Sequence, residues 1–87
     1  MQISIEELRE KFEASMPAQQ IRMSFNEYAM LYHLREGVRA AEIFANLYMS
    51  CSTYYRLKER IRKKLKANTF EGALIKAGEI VFSEKRR

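Results

Sequence analysis

An all-α fold, a small helical bundle, is the expectation for this chain, and three observations predict it. Apolar residues recur at three- and four-residue spacing along most of the 87 residues, the period of one helix face. The helix-opening pattern Ser/Asn-x-x-Glu stands at Ser4, Ser24 and Asn68, where the first side chain caps an amide and the glutamate reaches back. No convincing period-2 alternation occurs, and three Gly with one Pro leave little material for linkers. A chain of this length holds about one core.

The first helix opens at Ser4-Ile5-Glu6-Glu7, with Ile3 and Leu8 as the hydrophobic staple, and carries Ile5, Leu8, Phe12 and, just beyond, Met16 before Pro17 ends it. The second opens at Ser24-Phe25-Asn26-Glu27, stapled by Met23 and Tyr28. It turns Leu31 and Leu34 inward and closes at Gly37, a natural left-handed cap. Ala40 to Leu47 makes a short third helix with Ile43, Phe44 and Leu47 inward; its approach through Val38-Arg39 lacks a capping oxygen. After a break at Tyr48-Met49, Ser50 caps a fourth helix to about Lys66, packed through Tyr54, Leu57, Ile61 and Leu65. Asn68 caps a fifth, which carries Leu74, Ala77, Ile80 and Val81 toward a charged Lys85-Arg86-Arg87 end. The organisation expected is an N-terminal helical extension over 1–21, a helix-turn-helix domain over 22–82 and a basic tail over 83–87.

Charge is unevenly distributed. Residues 1–49 carry seven acidic and five basic side chains, whereas residues 50–87 carry four acidic and eleven basic. Seven of those cations fall within 56–66, opposite the apolar stripe of the fourth helix, a pattern that favours a nucleic-acid partner over a merely solvated face. At 100° per residue, Ser52, Tyr55, Arg56, Glu59 and Lys63 share the side away from that stripe.

A short helix, a tight break and a capped basic helix fit a helix-turn-helix, whose second helix enters the major groove of double-stranded DNA. Arg56 suits guanine O6 and N7, Ser52 and Tyr55 offer hydroxyls and a ring for base or thymine-methyl contacts, and Glu59 suits cytosine N4. Lys58, Arg60, Arg62, Lys63, Lys64 and Lys66 lie around the rim, suited to phosphates, and the amides near Ser50 make a further anion site.

Several residues carry a structural expectation. Tyr54 belongs to the core, His33 is a buried structural histidine, and Met16, Met23, Met30 and Met49 fill the core. Leu74, Ala77 and Val81 form either core or a homodimer seam, or divide between the two. Cys51 cannot form an intramolecular disulfide, being the single cysteine, and with one histidine no structural zinc site closes. No paired carboxylates, metal cluster or activated nucleophile assemble, so neither an enzyme nor a cofactor is expected. No basic-apolar leader and no run of 18 apolar residues occur, which leads to the expectation of a cytoplasmic, nucleoid-associated protein without a membrane partner.

From about Met23 to Val81 the order of residues resembles the LuxR/GerE-type helix-turn-helix domain of bacterial transcription regulators. The resemblance is carried by Met23-Ser24-x-x-Glu27-x-x-Met30-Leu31-x-x-Leu34-x-x-Gly37, then Glu42-Ile43-x-x-x-Leu47-x-Met49-Ser50. Thr53-Tyr54, Ile61-x-x-Lys64-Leu65 and Asn68-Thr69-x-Glu71-x-x-x-Leu74 continue it without a gap. It implies a four-helix domain that binds DNA as a dimer, usually through its last helix. Its base-facing positions correspond to Ser52, Tyr55, Arg56 and Glu59, with Thr53, Arg60 and Lys63 nearer phosphates. The chain departs from the family pattern in four places: Tyr55 stands where a lysine is common, Leu57 at the family's histidine, Arg39-Ala40-Ala41 at its polar helix start and Lys66 at its usual glycine. Region 4 of sigma factors shares much of the pattern. Only about twenty residues precede the matching region, with no room for a receiver or ligand domain, so the first helix is expected to cover an apolar edge, extend a dimer interface or dock another regulator. The alternative of a different class is a protein-protein regulator that keeps the scaffold and binds another transcription factor or RNA polymerase. RNA is a further polyanion that basic helices take.

Overall fold

The computed structural model describes residues 3–82; the expected basic tail over 83–87 lies outside the described residues. Six helices follow one another: α1 (Ile5–Ala14), α2 (Met16–Gln20), α3 (Phe25–Arg35), α4 (Ala40–Leu47), α5 (Cys51–Lys64) and α6 (Phe70–Ile80). No strand occurs among the described residues, and the all-α expectation holds.

Five helices agree with the sequence reading, and α2 is an addition. Pro17 does not end α1; it occupies the first turn of α2, where its missing N–H costs nothing. Ser15 closes α1 and caps α2 at once, its Oγ accepting from the Ala18 amide at 3.2 Å. At the start of α3 the reciprocal capping box forms in full: Ser24 Oγ accepts from the Glu27 amide at 3.2 Å, and Glu27 Oε1 accepts from the Ser24 amide at 2.9 Å. Ser50 caps α5 through the Thr53 amide. The cap of α6 is Thr69 rather than Asn68, its Oγ1 accepting from the Gly72 amide at 3.1 Å; the helix begins one residue later than the Asn68-x-x-Glu71 spacing predicts.

Four helices end in the same device. Arg22, Gly37, Tyr48 and Lys66 all have positive φ, at 59°, 83°, 53° and 56°, and the amide that follows each bonds back across the turn: Met23 to Ala18 O, Val38 to His33 O, Met49 to Phe44 O and Ala67 to Arg62 O. This is the Schellman closure, which satisfies carbonyls left over at a helix end. Only Gly37 enters the left-handed region without a Cβ penalty. Lys66, like Arg22 and Tyr48, takes the conformation that glycine favours and meets that penalty.

All the helices share one core. Leu8 of α1, Ala18 of α2, Met30 and Leu31 of α3, Ile43 of α4, Ile61 of α5 and Ala77 of α6 belong to a single buried cluster. The first helix is thus an integral wall of the bundle: the Phe12 ring meets Phe25 at 5.8 Å and Tyr28 at 5.4 Å, and Tyr28 meets Phe82 at 5.1 Å. Such pairs add about 0.5–1.5 kcal/mol each beyond the area they bury. Met23 and Met30 fill the core as expected, while Met16 is 69% exposed, because Pro17 starts a new helix there and turns the side chain outward. Tyr54 is buried as predicted, and its edge-to-face contact with Phe44 at 5.1 Å ties α4 to α5.

Candidate nucleic-acid interface

Periodicity places Leu57, Ile61 and Tyr54 of α5 in the core, and the structure buries all three. The opposite side is open: Ser52, Tyr55, Arg56, Glu59, Arg60 and Lys63 are exposed, and they cover less than half the circumference of the helix at 100° per residue. Four expected base-contacting residues therefore stand together on one presented face. Arg56, Arg60 and Lys63, at spacing four and three, form a cationic line along it.

Several of these side chains have partners within the protein. Ser50 Oγ caps the helix and donates to Thr53 Oγ1 at 3.0 Å, and Arg56 Nη2 donates to the same oxygen at 3.3 Å. The first turn of α5 is thus a small hydroxyl-guanidinium network beside free amide dipoles, a suitable setting for an anion. Glu59 pairs with Arg62 one turn on, and the guanidinium that hydrogen-bonds to it holds the Glu59 carboxyl below its usual range. Arg62 also donates to Ala67 O at 2.8 Å, closing the helix end.

Besides Arg62, two further cations expected at phosphates are placed elsewhere. Lys64 Nζ donates to Glu27 Oε1 and to Arg22 O, both at 2.7 Å. It joins the ends of α2 and α5 to the start of α3, because Glu27 is fully buried and draws the nearest ammonium to it. The Lys58 ammonium lies among three rings, 4.8 Å from the centroid of Phe70, 5.4 Å from Tyr55 and 5.6 Å from Tyr54. Both lysines looked like rim cations in the sequence, since spacing along one helix says nothing of Glu27, 37 positions from Lys64, or of Phe70 on the next helix.

The residues expected as core or dimer seam lie against the core. Ala77 is fully buried and Val81 nearly so, while Leu74 is half-buried against the core. These residues face inward because α6 packs on α5 and α3. Ile75 and Ile80 are the large apolar side chains that α6 exposes, Ile75 at 65%. Ile80, which the sequence reading counted with Leu74, Ala77 and Val81, is instead exposed, and Ile75 on the opposite face carries no periodic signal.

His33 is buried, as expected. Burial lowers its pKa, with the Glu36 carboxylate opposing, and its Nε2 has no hydrogen-bond partner. Cys51 is exposed in the first turn of α5. Among the described residues no group of His, Cys, Asp and Glu could hold a metal ion, and no helix is long and apolar enough to cross a membrane.

No protein-family model, curated protein or solved structure matches the chain.

Proposed function

We propose that this protein is a sequence-reading transcription regulator of the LuxR/GerE kind, in which α4, the turn at residues 48–50 and α5 act as a helix-turn-helix and α5 enters the major groove of double-stranded DNA. The observation that carries the reading is the presented face of α5: Ser52, Tyr55 and Arg56 near its N-terminal end, with Arg60 and Lys63 beyond them, all exposed. Base-edge chemistry thus sits at the end of the helix that meets bases in this motif, and cations continue toward the phosphates. Glu59 accepts from Arg62 at Oε2 and keeps Oε1 as an acceptor for cytosine N4. Two copies would read half-sites about one helical turn apart, and with Ala77 and Val81 enclosed, Ile75 and Ile80 are the apolar residues of α6 left for a two-fold contact. Action at the nucleoid follows from this reading.

Fluorescence-anisotropy titration of an enriched-sequence pool against random duplex DNA, at two salt concentrations, tests it. An advantage of about 10³ or more for the selected sequence supports the reading; unselective binding that collapses with salt refutes it. The second reading, a regulator that docks on another transcription factor or on RNA polymerase, is favoured by exposed Met16 beside a groove of about 510 Å³ lined also by Tyr28, Tyr32 and Phe82. It predicts a stable hetero-complex together with only salt-driven DNA affinity.

A further inference from the structure

We infer that Tyr55 reads the 5-methyl group of a thymine in the major groove, and that Lys58 is the positioning residue that holds its ring for this task. The inference rests on the DNA-reading role of α5 proposed above and specifies what that helix recognises.

Tyr55 differs from every other residue on the presented face. Ser52, Arg56, Glu59, Arg60 and Lys63 offer hydroxyl or charge, whereas Tyr55 offers a ring that is 57% exposed. The thymine methyl is the one apolar group among the base edges of the major groove, so a lone apolar contact on a reading helix has one natural counterpart there. The ring is also restrained. Its neighbour Tyr54, anchored in the core, meets it edge-to-face at 5.1 Å and 82°, and the Lys58 ammonium lies 5.4 Å from its centroid.

That ammonium also lies 4.8 Å from the ring centroid of Phe70, the first residue of α6. A cation within about 6 Å of a ring is attracted to its face, so Lys58 links Tyr55 to Tyr54 and α6. A tyrosine with few rotatable bonds, fixed before binding, presents a large apolar surface with little ordering left to pay. Lys58 occupies the rim where a phosphate contact is the simplest expectation, yet its charge is turned toward rings.

The test starts from the sequence selected by the intact protein. Each thymine is replaced in turn by deoxyuridine, which removes only the methyl group, and Kd is measured by fluorescence anisotropy. One thymine in each half-site should show a loss of about fourfold, the value of one methyl group withdrawn from water. Tyr55→Phe should retain that loss and Tyr55→Ala should abolish it, with helicity by circular dichroism unchanged because the residue lies outside the core. Lys58→Met should shrink the uracil penalty while leaving the slope of log Kd against log salt unchanged; a phosphate-contacting lysine would lower that slope by about one. Selective binding with no uracil penalty at any thymine, or a penalty that survives Tyr55→Ala, overturns the role of Tyr55. A slope lowered by one in Lys58→Met overturns the role of Lys58. Failure of the DNA-reading proposal would show separately, as loss of all sequence selectivity in the unmodified protein, and would overturn this inference with it.

Discussion

Replacing Lys64 with methionine separates a structural cation from a DNA-binding one. Lys64 Nζ donates to Glu27 Oε1 and to Arg22 O, and the Glu27 side chain is wholly enclosed while that of Lys64 keeps 29% of its surface exposed. Methionine preserves most of the stem and removes the charge, leaving a buried carboxylate with the Ser24 amide at Oε1 and no partner at Oε2. Removing one member of a fully buried pair costs about 3–5 kcal/mol. Water reaching the lysine end lowers the expectation to about 2–3 kcal/mol. For a domain of this size that is a fall in Tm of roughly 10–20 °C, measurable by circular dichroism. Glu27→Gln keeps a capping group for Ser24 and neutralises the buried charge, so the double variant Glu27→Gln/Lys64→Met should be less destabilised than the sum of the two single changes. The salt slope of DNA binding should be unaltered in Lys64→Met. Destabilisation below about 0.5 kcal/mol, the range of an ordinary surface change, together with a slope lowered by about one, would refute the reasoning and return Lys64 to the phosphate-facing set.

Arg56→Ala should cost about 1–3 kcal/mol on the selected DNA site and relax specificity at one base pair, whereas Lys63→Ala should weaken selected and random duplexes alike and lower the salt slope by about one; parallel anisotropy titrations compare them. Tyr48→Gly and Lys66→Gly each remove a Cβ from a left-handed helix closure and should stabilise by about 1 kcal/mol, read as a higher urea midpoint. Burial lowers the His33 pKa below its ordinary 6.5, so the unfolded chain takes up this proton at higher pH than the native one. The associated stability is complete above pH 6.5 and is lost as pH falls through that value toward the native pKa. His33→Gln should flatten urea midpoints measured across this range, and an unchanged pH dependence would show that another group governs it. Ala77→Leu should overpack the monomer core and destabilise by about 1–3 kcal/mol, while Ile75→Glu should leave Tm within a few degrees and shift sedimentation toward monomer; the reverse pattern would restore Ala77 to the dimer seam.

What the sequence made legible was local. Ser24, Gly37 and Ser50 announce helix ends because a cap involves groups within a few residues, and the stripe Tyr54, Leu57, Ile61 announces a buried face because burial repeats with the helix. Pro17 was ambiguous by its nature: proline stops a preceding helix and starts a following one equally well, and only the bond from Ser15 to the Ala18 amide decides between them. Asn68 and Thr69 are both good caps, and one residue of register separates them. The candidate face of α5 was legible as a face, but Glu27 on α3, which diverts Lys64, and Phe70 on α6, the nearest of the three rings around Lys58, lie beyond the reach of any single-helix pattern. For the same reason Ala77 and Val81 read equally well as core and as seam. A hydrophobic stripe states that something covers it, and packing alone states whether that cover is the same chain.

The enclosure of Leu8 and the packing of the Phe12 ring against Phe25 and Tyr28 bear on modularity. A fragment cut at residue 22 would keep α5 but strip from Phe25 and Tyr28 the Phe12 ring that packs on them. Recombination at that point would transfer a partial domain in need of a substitute lid. The portable unit therefore runs from the first helix onward, and a chimera that borrows the exposed face of α5 should carry α1 and α2 with it.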